Sequence, residues 1–317
     1  MRSCGQAERR LAKRLLAALN SIILVPRPGM STTTDHFTEA FSRNVGWLTP
    51  DEQRVLRTKR VAIAGLGGVG GSHLLTLTRL GVERFTIADP DIFEPVNLNR
   101  QAGAYVSTCG QCKVEVLARM ARDINPDLDL RTFDTEIDGG NVSAFLHDAD
   151  LYLDGLDYFA VAARRAVFAA CAERAIPSVT AVPLGMGAAM LVFLPGKMTF
   201  EAYFRLQGRT EHEQLVRFLV GLSPAMLQLR YLVYPQAVDF ARQRGPSTPM
   251  ACEICAGMAA TQVLKILLCR GKVLAAPWGQ QFDPYRNRYA KTWRPWGNAN
   301  PLQRLVLASA LRLLRER

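Results

Sequence analysis

The sequence of 317 residues lacks any uninterrupted apolar run of about 18 residues, the length that a membrane-spanning helix requires. It also lacks internal repeats, and its four histidines form no pattern typical of metal ligands. Its seven cysteines are an odd number in a long chain, which argues against a secreted scaffold held by disulfides. We therefore expect a protein without a membrane span that resides in the reducing cytoplasm.

Composition favours a folded enzyme-sized chain over a disordered one. Hydrophobic residues make up 49% and aromatic residues 8% of the sequence, so a substantial core can form. The net charge of +11 suggests an anionic partner, but the basic residues are concentrated in residues 1–29 and 304–317. Nucleic-acid binding normally uses a clustered basic face, often with aromatic residues, and the middle of the chain shows none. The basic ends leave nucleic-acid binding open without predicting it.

The pattern of apolar and charged residues divides the chain into three regions. Residues 1–35 are interpreted as an N-terminal extension, and Met30 is an alternative start, since the apolar stretch before it is short for a signal peptide and lacks a cleavage site. Residues 36–296 are expected to form one nucleotide-binding domain with an insertion at 196–251. Residues 297–317 are expected to form an amphipathic helix, with Leu302, Leu305, Val306 and Leu313 on one side.

From residue 60 onward, short apolar runs alternate with helical patterns. Such alternation predicts an α/β fold, with a Rossmann-like, doubly wound, mainly parallel sheet and helices on both faces. The insertion is expected to hold helices at 199–206 and 211–231, and another helix at 253–268 returns to the core. A C-terminal antiparallel strand pair is expected at the end of the domain. The predicted strands are 61–64, 84–88, 128–133, 149–153, 178–182, 188–194, 280–282 and 288–293.

A glycine-rich turn joins the first predicted strand to the first helix of this series. Gly65, Gly67, Gly68 and Gly70 allow the backbone to turn tightly and to approach a phosphate, while the N–H groups of the helix start face the anion. Asp89 follows the next strand, where a carboxylate that binds ribose belongs. This order predicts a nucleotide site, but dehydrogenases use the same turn, so it does not distinguish ATP from NAD.

A dense series of polar residues after the second predicted strand favours ATP over NAD as the nucleotide. They continue after Asp89 through a run up to residue 101, then Lys113, and then two aspartates after a later strand. Arginine and lysine near a phosphate chain neutralise the charge that develops during nucleotidyl transfer, and a carboxylate opposite them suits Mg²⁺. Hydride transfer needs no such set. The residues singled out are Asp91, Asn97, Arg100, Gln101, Lys113, Asp154 and Asp157.

Together these residues resemble the ThiF/MoeB adenylyltransferases, relatives of the ubiquitin-activating enzymes, over about residues 41–268 apart from the insertion. The resemblance implies that Asp89 holds the ribose of ATP and that Asn97, Arg100 and Lys113 contact the phosphates. It further implies that Asp157 binds Mg²⁺. The other nucleotide-binding positions that it implies are Gly65, Gly67, Gly68, Gly70, Asp91 and Gln101. The run 41–43 resembles the family's aromatic–x–Arg element, which implies a homodimer in which Arg43 reaches the partner's site.

The family resemblance implies an acceptor with a free C-terminal carboxylate, such as a ubiquitin-like or sulfur-carrier protein or a peptide. The alternatives are a tRNA-modifying dehydratase of the same family, a nicotinamide- or flavin-dependent oxidoreductase, and an inactive subunit of a heterodimer. The sequence departs from the family in two places. Tyr158 stands where members often have Asn, and residues 197–204 lack the usual zinc cysteines. The insertion is expected to lie at the acceptor entrance, where Arg242 and Arg244 suit an acidic partner.

Two C-x-x-C pairs remain, Cys109 with Cys112 and Cys252 with Cys255. The spacing inside each pair suits zinc, but the long separation between the pairs argues against a shared zinc site. Cys252 and Cys255 lie at a predicted helix start, whose dipole is expected to lower a thiol pKa. They are therefore candidate thiols for a covalent link to an activated acceptor, with a pair of small buried residues as the alternative.

Overall fold

The computed structural model describes residues 36–239 and 242–315. The described residues divide into two compact units, 36–42 and 43–315. In the first unit, helix α1 (His36–Ala40) brings the rings of Phe37 and Phe41 to 4.7 Å from each other. The expectations for residues 1–35, including the alternative start at Met30, lie outside the described residues.

The second unit contains a mixed sheet of eight strands among the residues described. Its order is β3-β2-β1-β4-β5-β6-β7-β8, with β1 to β5 parallel and β6 to β8 each antiparallel to the preceding strand. This confirms the predicted mainly parallel sheet with a C-terminal antiparallel pair. The strands are β1 (Arg60–Ala64), β2 (Arg84–Ala88), β3 (Asp129–Phe133), β4 (Leu151–Asp154), β5 (Ser178–Leu184), β6 (Gly187–Phe193), β7 (Trp278–Asp283) and β8 (Arg288–Trp293).

Helices cover both faces of the sheet, and short 3-10 turns connect several of them. The first of these helices begins with a capping box, which Thr49 and Glu52 form. The helices are α2 (Pro50–Thr58), α3 (Gly70–Leu80), α4 (Lys113–Ile124), α5 (Val142–Phe145), α6 (Val161–Glu173), α7 (Phe200–Phe204), α8 (Glu211–Leu222), α9 (Pro249–Leu267) and α10 (Pro301–Arg315).

The three central strands end at the same level of the sheet. Ala64 of β1 pairs with Ala88 of β2 on one side and with Asp154 of β4 on the other. The chain winds outward in opposite directions from β1 and β4, so this is the point where ligands of open α/β sheets bind. The register therefore brings the turns that follow β1, β2 and β4 together at one edge.

Two hydrophobic cores fill the space between the sheet and its helices. One holds Ile63, Phe85 and Met190 with apolar residues of α3, α4 and α9, and the other holds Tyr152 and Phe168 with apolar residues of α6, α7 and α8. Helix α9 is the one described helix long and apolar enough to cross a membrane by length and composition, with a mean hydropathy of 1.4. Half of that apolar window is buried, since α9 packs along β5 and β6.

The insertion differs from its prediction in one helix. Helix α8 begins at Glu211 as expected but ends at Leu222, and the chain continues as a 3-10 turn at Leu227–Tyr231. Pro224 explains the early end, because proline has no N–H to continue the helix and disfavours helical geometry at Ser223 before it.

The C-terminal helix exposes two of the four leucine and valine side chains that the sequence places on its apolar side. Helix α10 forms, but Leu302 and Leu305 are exposed, whereas Gln303 and Leu307 are buried. The Gln303 amide donates a hydrogen bond to the carbonyl of Val220 on α8, at 2.6 Å. Of the predicted stripe, Val306 packs with Leu307 against Val216 and Val220 of α8, while Leu302 and Leu305 face solvent. The side chain of Leu313 lies outside the described part.

Candidate active site

The glycine turn between β1 and α3 is packed too closely for side chains. Gly65 has φ +81°, and a Cβ added there would lie 2.3 Å from the carbonyl oxygen of Gly155. A Cβ at Gly70 would lie 1.8 Å from the carbonyl oxygen of Gly65. Glycine is therefore required at both positions. The same contacts bring the turn after β4 directly against the glycine turn.

Asp89 shapes the glycine turn. Its Oδ2 accepts a hydrogen bond from the backbone N–H of Leu66 at 2.6 Å, and its Oδ1 accepts one from the N–H of Asp91 at 2.9 Å. Burial raises the pKa of the Asp89 carboxyl, while the charge of Lys113 and the two N–H groups act in the opposite direction. Asp89 thus joins the first two turns of the site, and each oxygen retains a lone pair for a ribose hydroxyl.

Lys113 is a buried cation at the start of α4. Its ammonium group lies 2.8 Å from Oδ2 of Asp91, and its backbone N–H donates to the carbonyl of Asp91. Only 7% of the lysine side chain is exposed, against 63% for the aspartate. A lysine in this position has one carboxylate partner and retains two further N–H donors for a phosphate.

The polar residues that follow Asp89, up to residue 101, form a polar run that folds over the glycine turn. Asn97 is buried, and its side-chain oxygen accepts the N–H of Glu94 at 2.9 Å, which fixes a 3-10 turn. Gln101 then lies above Gly67, with its Nε2 3.6 Å from where a Cβ would be. Within the described residues, the buried Oε1 of Gln101 finds no hydrogen-bond partner. This orphaned acceptor beside the turn is the kind of atom that a bound ligand would satisfy.

Arg100 lies against the same turn. Its Nε is 3.6 Å from where a Cβ of Gly68 would be, and its Nη1 donates to the side chain of Asn99 at 2.9 Å and to the carbonyl of Val96. The structure therefore brings Arg100, Lys113 and Asp89 to the edge formed by the glycine turn. All three residues belong to the connection between β2 and β3, whereas the glycine turn belongs to the connection between β1 and β2.

The two aspartates after β4 have different environments. Asp154 is buried, and its Oδ2 accepts from Nε of Arg164 at 2.8 Å and from Oγ1 of Thr180 at 2.7 Å. Asp157 is exposed, and its Oδ1 accepts the N–H of Phe159 at 2.9 Å. Asp154 is thus a structural group, whereas Asp157 is exposed in the turn after β4.

Arg164 was missed by the sequence analysis. Its side chain is 1% exposed, and besides Asp154 it donates to the carbonyls of Leu156 at 2.7 Å and Asp157 at 3.0 Å. It therefore holds the whole turn that presents Asp157. The signal in the sequence was an arginine in the alanine-rich helix α6, a place where a charge is costly unless it is paired.

The structure contradicts the lowered thiol pKa that was expected for Cys252 and Cys255. Cys252 and Cys255 do lie in the first turns of α9, but both are buried, and burial raises the pKa of both thiols. The desolvation of a thiolate outweighs the helix dipole and the charge of Arg100, which lies beside Cys252. Cys252 packs against the glycine turn, since its Sγ would be 3.1 Å from a Cβ at Gly68. The expected lowering of the pKa was wrong.

Three further residues were predicted to have a role, Arg43, Cys109 and Cys112. Arg43 is exposed in the 3-10 helix Ser42–Asn44. Cys109 and Cys112 are free and precede Lys113, with Cys112 exposed. In residues 36–239 and 242–315, no group of three or more His, Cys, Asp or Glu side chains is arranged to hold a metal ion.

The end of the insertion reaches the same edge of the sheet. We call residues 223–239 and 242–248 the edge segment. Tyr231 accepts the N–H of Met186, in the turn after β5, and donates to Asp283 at the end of β7 at 2.8 Å. The carbonyl of Ser247 accepts from Asn99, next to Arg100, at 3.1 Å. The edge segment therefore contacts the polar residues that precede Arg100.

Comparison with known sequences decides the family. The sequence profile of the ThiF family matches residues 41–304, which is most of the chain. The chain belongs to the ThiF family. This membership covers the glycine turn, the polar run, Lys113 and the two aspartates. It argues against the alternative of a nicotinamide- or flavin-dependent oxidoreductase.

Curated relatives within this family carry two kinds of name. The chain is 32% identical over 160 residues to a molybdopterin-synthase adenylyltransferase of Escherichia coli, covering 50% of this chain and 64% of that protein. It is 31% identical over 145 residues to the sulfur carrier protein ThiS adenylyltransferase of E. coli, covering 46% and 57%. It is 30% identical over 147 residues to a tRNA threonylcarbamoyladenosine dehydratase of Haemophilus influenzae, covering 46% and 56%. The matched region spans less than two thirds of each relative.

Solved structures share the fold. E. coli MccB with ATP aligns with a TM-score of 0.61 at 19% identity, covering 84% of this chain and 73% of that one. The E. coli tRNA dehydratase TcdA aligns with a TM-score of 0.56 at 18% identity, covering 75% and 98%. PaaA aligns with a TM-score of 0.62 at 17% identity, covering 92% and 87%. At these identities the likeness concerns the fold.

Proposed function

We propose that this member of the ThiF family is an ATP-dependent adenylyltransferase that activates a carboxylate as an acyl-adenylate. The observation that carries the proposal is the buried ammonium group of Lys113 beside the glycine turn, 2.8 Å from Asp91. A cation kept out of water at a nucleotide edge suits a polyphosphate. Arg100 on the other side of the turn adds a second positive charge.

ATP and Mg²⁺ fit the side chains present. The glycine turn offers N–H groups to the phosphates, the Oε1 of Gln101 is an acceptor without a partner among the described residues, and Asp89 suits the ribose. The exposed carboxylate of Asp157 is a hard oxygen ligand, and Mg²⁺ usually takes one or two carboxylates with phosphates and water. When bound, the metal would supply charge neutralisation at the phosphates.

The proposed reaction needs no general base from the protein. An oxygen of the acceptor carboxylate, already ionised near neutral pH, attacks the α-phosphorus of ATP, and the bond to the bridging oxygen of the β-phosphate breaks. Pyrophosphate leaves and the acyl-adenylate remains. Lys113 and Arg100 would position the phosphates and stabilise the added charge of the transition state.

Substitution of Asp157 tests this assignment. We expect the protein to exchange ATP with pyrophosphate only when its acceptor is present, and Asp157→Ala to abolish the exchange because the metal ligand is lost. The matched control is Asp123→Ala, an exposed carboxylate on α4, which should exchange like the wild type. Wild-type exchange by Asp157→Ala would remove Asp157 from the mechanism.

We propose that the acceptor is a small carrier protein or peptide with a free C-terminal carboxylate. One relative is named as an adenylyltransferase of the sulfur carrier protein ThiS, and the edge segment of this chain offers a matching surface. It exposes Leu229 by 54%, Val233 by 94% and Tyr234 by 64%, and it carries the exposed Arg242 and Arg244. An apolar surface with a basic rim suits an extended tail that ends in a carboxylate.

The second candidate is a tRNA-modifying dehydratase, which the relatives from H. influenzae and E. coli favour. Its substrate would also be activated by ATP at a carboxylate, and the basic residues 1–29 and 304–317 would then contact RNA. Purified tRNA that stimulates turnover of ATP, in the absence of any protein acceptor, would favour this candidate. Stimulation by a carrier protein or peptide alone would favour the first.

Assembly and location complete the proposal. We propose a homodimer in which Arg43, exposed in this structure, serves the partner's site. Light scattering should give twice the mass of the chain, and a monomer at micromolar concentration would contradict the arrangement.

We propose a cytoplasmic location because Cys112 and Cys269 are exposed free thiols, which persist in a reducing compartment. Cys252 and Cys255 stay candidate acceptor thiols, although their burial does not favour reactivity.

A further inference from the structure

A helix of the insertion supports the turn that presents Asp157, through the residue next to it in sequence. The hydroxyl of Tyr158 donates a hydrogen bond to the carbonyl of Leu215 on α8 at 2.7 Å. Its ring lies 5.0 Å from that of Phe159 and 5.6 Å from that of Phe218 on α8. The turn after β4 is thus tied to a helix 57 residues further along the chain.

Arg164 makes a second link between the same two elements. Its guanidinium lies 4.6 Å from the centre of the Phe218 ring, within the range of a cation–π interaction. The same guanidinium donates to the carbonyls of Leu156 and Asp157. Helix α8 therefore contacts the turn from two sides, through the phenol of Tyr158 and through Arg164.

The other end of α8 leads to the acceptor side of the site. Ser223, directly after the helix, donates to the side chain of Gln281 on β7 at 2.9 Å. The edge segment begins there. Helix α8 therefore lies between the turn that carries Asp157 and the surface proposed to receive the acceptor.

We propose that Tyr158 is a positioning residue that fixes Asp157 for metal–ATP binding by anchoring its turn to helix α8. This inference rests on the proposed function, since it assumes that Asp157 binds the metal. Asp157 is exposed, and its carboxylate accepts the N–H of Phe159 from its own turn, so its position depends on how firmly the turn is held. The side chain next to it supplies that support by reaching a neighbouring helix.

Tyr158 can act as a donor throughout the working pH range. Burial raises the pKa of its phenol, while the charge of Arg164 lowers it. The group therefore stays neutral and keeps its proton for Leu215. A neutral hydrogen bond of this kind contributes about 1 kcal/mol, which corresponds to about a fivefold change in an equilibrium constant.

The test is Tyr158→Phe, which removes the hydroxyl and keeps the ring. Calorimetry with a non-hydrolysable ATP analogue over a Mg²⁺ titration should show that the metal concentration for half-maximal binding rises about fivefold. Analogue binding without metal should be unchanged, because no residue of the glycine turn is altered.

The chain provides a matched control for a purely structural effect. Tyr203 on α7 is buried, and its hydroxyl also donates to a carbonyl of α8, that of Gly221, at 3.0 Å. Tyr203→Phe should lower the melting temperature about as much as Tyr158→Phe and leave the metal titration at its wild-type midpoint. Equal midpoints in the two variants would overturn the inference.

Asp157→Ala in the same titration separates the two proposals. A raised midpoint in Asp157→Ala, together with a wild-type midpoint in Tyr158→Phe, would sink the positioning role and leave the proposed function intact. A wild-type midpoint in Asp157→Ala would remove the metal role of Asp157, and with it the role of Tyr158.

Discussion

The side of the site proposed to bind the nucleotide and the side proposed to receive the acceptor lie at one edge of the same sheet, but they are held together differently. On the nucleotide side, the polar contacts of Asp89 and Lys113 join residues about twenty positions apart, as between Leu66 and Asp89. On the acceptor side, contacts join side chains more than fifty positions apart, as between Tyr231 and Asp283. The edge segment also exposes Val233 almost completely.

This difference separates the half of the site that suits any nucleotide enzyme of this fold from the half that suits one acceptor. A nucleotide presents the same phosphates and ribose to every enzyme that binds it, so short connections with fixed glycines and acids suffice. An acceptor protein differs from one enzyme to another, and its contacts fall on a long insertion. The turn with Asp157 belongs to the first half but depends on helix α8 of the second.

Removal of Arg164 should have the largest effect and break the link between the halves. Arg164→Met would leave Asp154 buried without its ion pair, and we expect the free energy of unfolding to fall by about 3–5 kcal/mol. Denaturant unfolding measures it. The neighbouring Arg165, which pairs with Glu201 at 3.0 Å near the surface, is the control. Arg165→Met should cost about 0–1 kcal/mol, and similar losses in both variants would contradict the buried-pair account.

Removal of the charge of Lys113 should weaken the nucleotide half alone. Lys113→Met is expected to lower the rate of ATP–pyrophosphate exchange by about a hundredfold or more, because a buried cation at the phosphates is lost. Lys197→Met, in an exposed turn after β6, is the control and should leave the rate unchanged. A loss smaller than threefold in Lys113→Met would show that the lysine only stabilises Asp91.

His73 on α3 should make the nucleotide half sensitive to acid. Its ring is fully buried, its nitrogens have no hydrogen-bond partner in the described part of the chain, and burial lowers its pKa from 6.5 to about 3. The unfolded chain binds this proton below about pH 6.5 and the folded chain does not, so stability falls as pH falls. From pH 7 to pH 5, wild type should lose about 2 kcal/mol more than His73→Leu. Parallel pH curves for the two proteins would contradict this.

Reversal of charge on the edge segment should have the smallest of these effects, and it should change the use of the acceptor alone. Arg242→Glu with Arg244→Glu is expected to raise the KM for the acceptor about tenfold at low salt, with ATP affinity unchanged. High salt should reduce the effect, because exposed charges are screened. The control is Arg119→Glu with Arg122→Glu on the exposed side of α4. Normal acceptor use by the edge-segment variant would place the docking surface elsewhere.

Local sequence patterns account for the mainly parallel sheet, the glycine turn and the place of Asp89. Apolar runs such as the one that forms β1 can only be buried, glycines such as Gly65 leave no alternative to a tight turn, and Asp89 follows the next strand at a fixed distance. These are local features with local causes. The family resemblance then predicted roles for Lys113 and Asp157 from their order in the chain.

The tertiary structure alone decided which charges are free and which are used. Asp154 and Asp157 look alike in sequence, but only packing shows that Arg164 neutralises the first and leaves the second exposed. The pKa of Cys252 likewise depends on how deeply α9 is buried, not on its place at a helix start. Desolvation and pairing arise between residues distant in sequence, so no pattern along the chain specifies them.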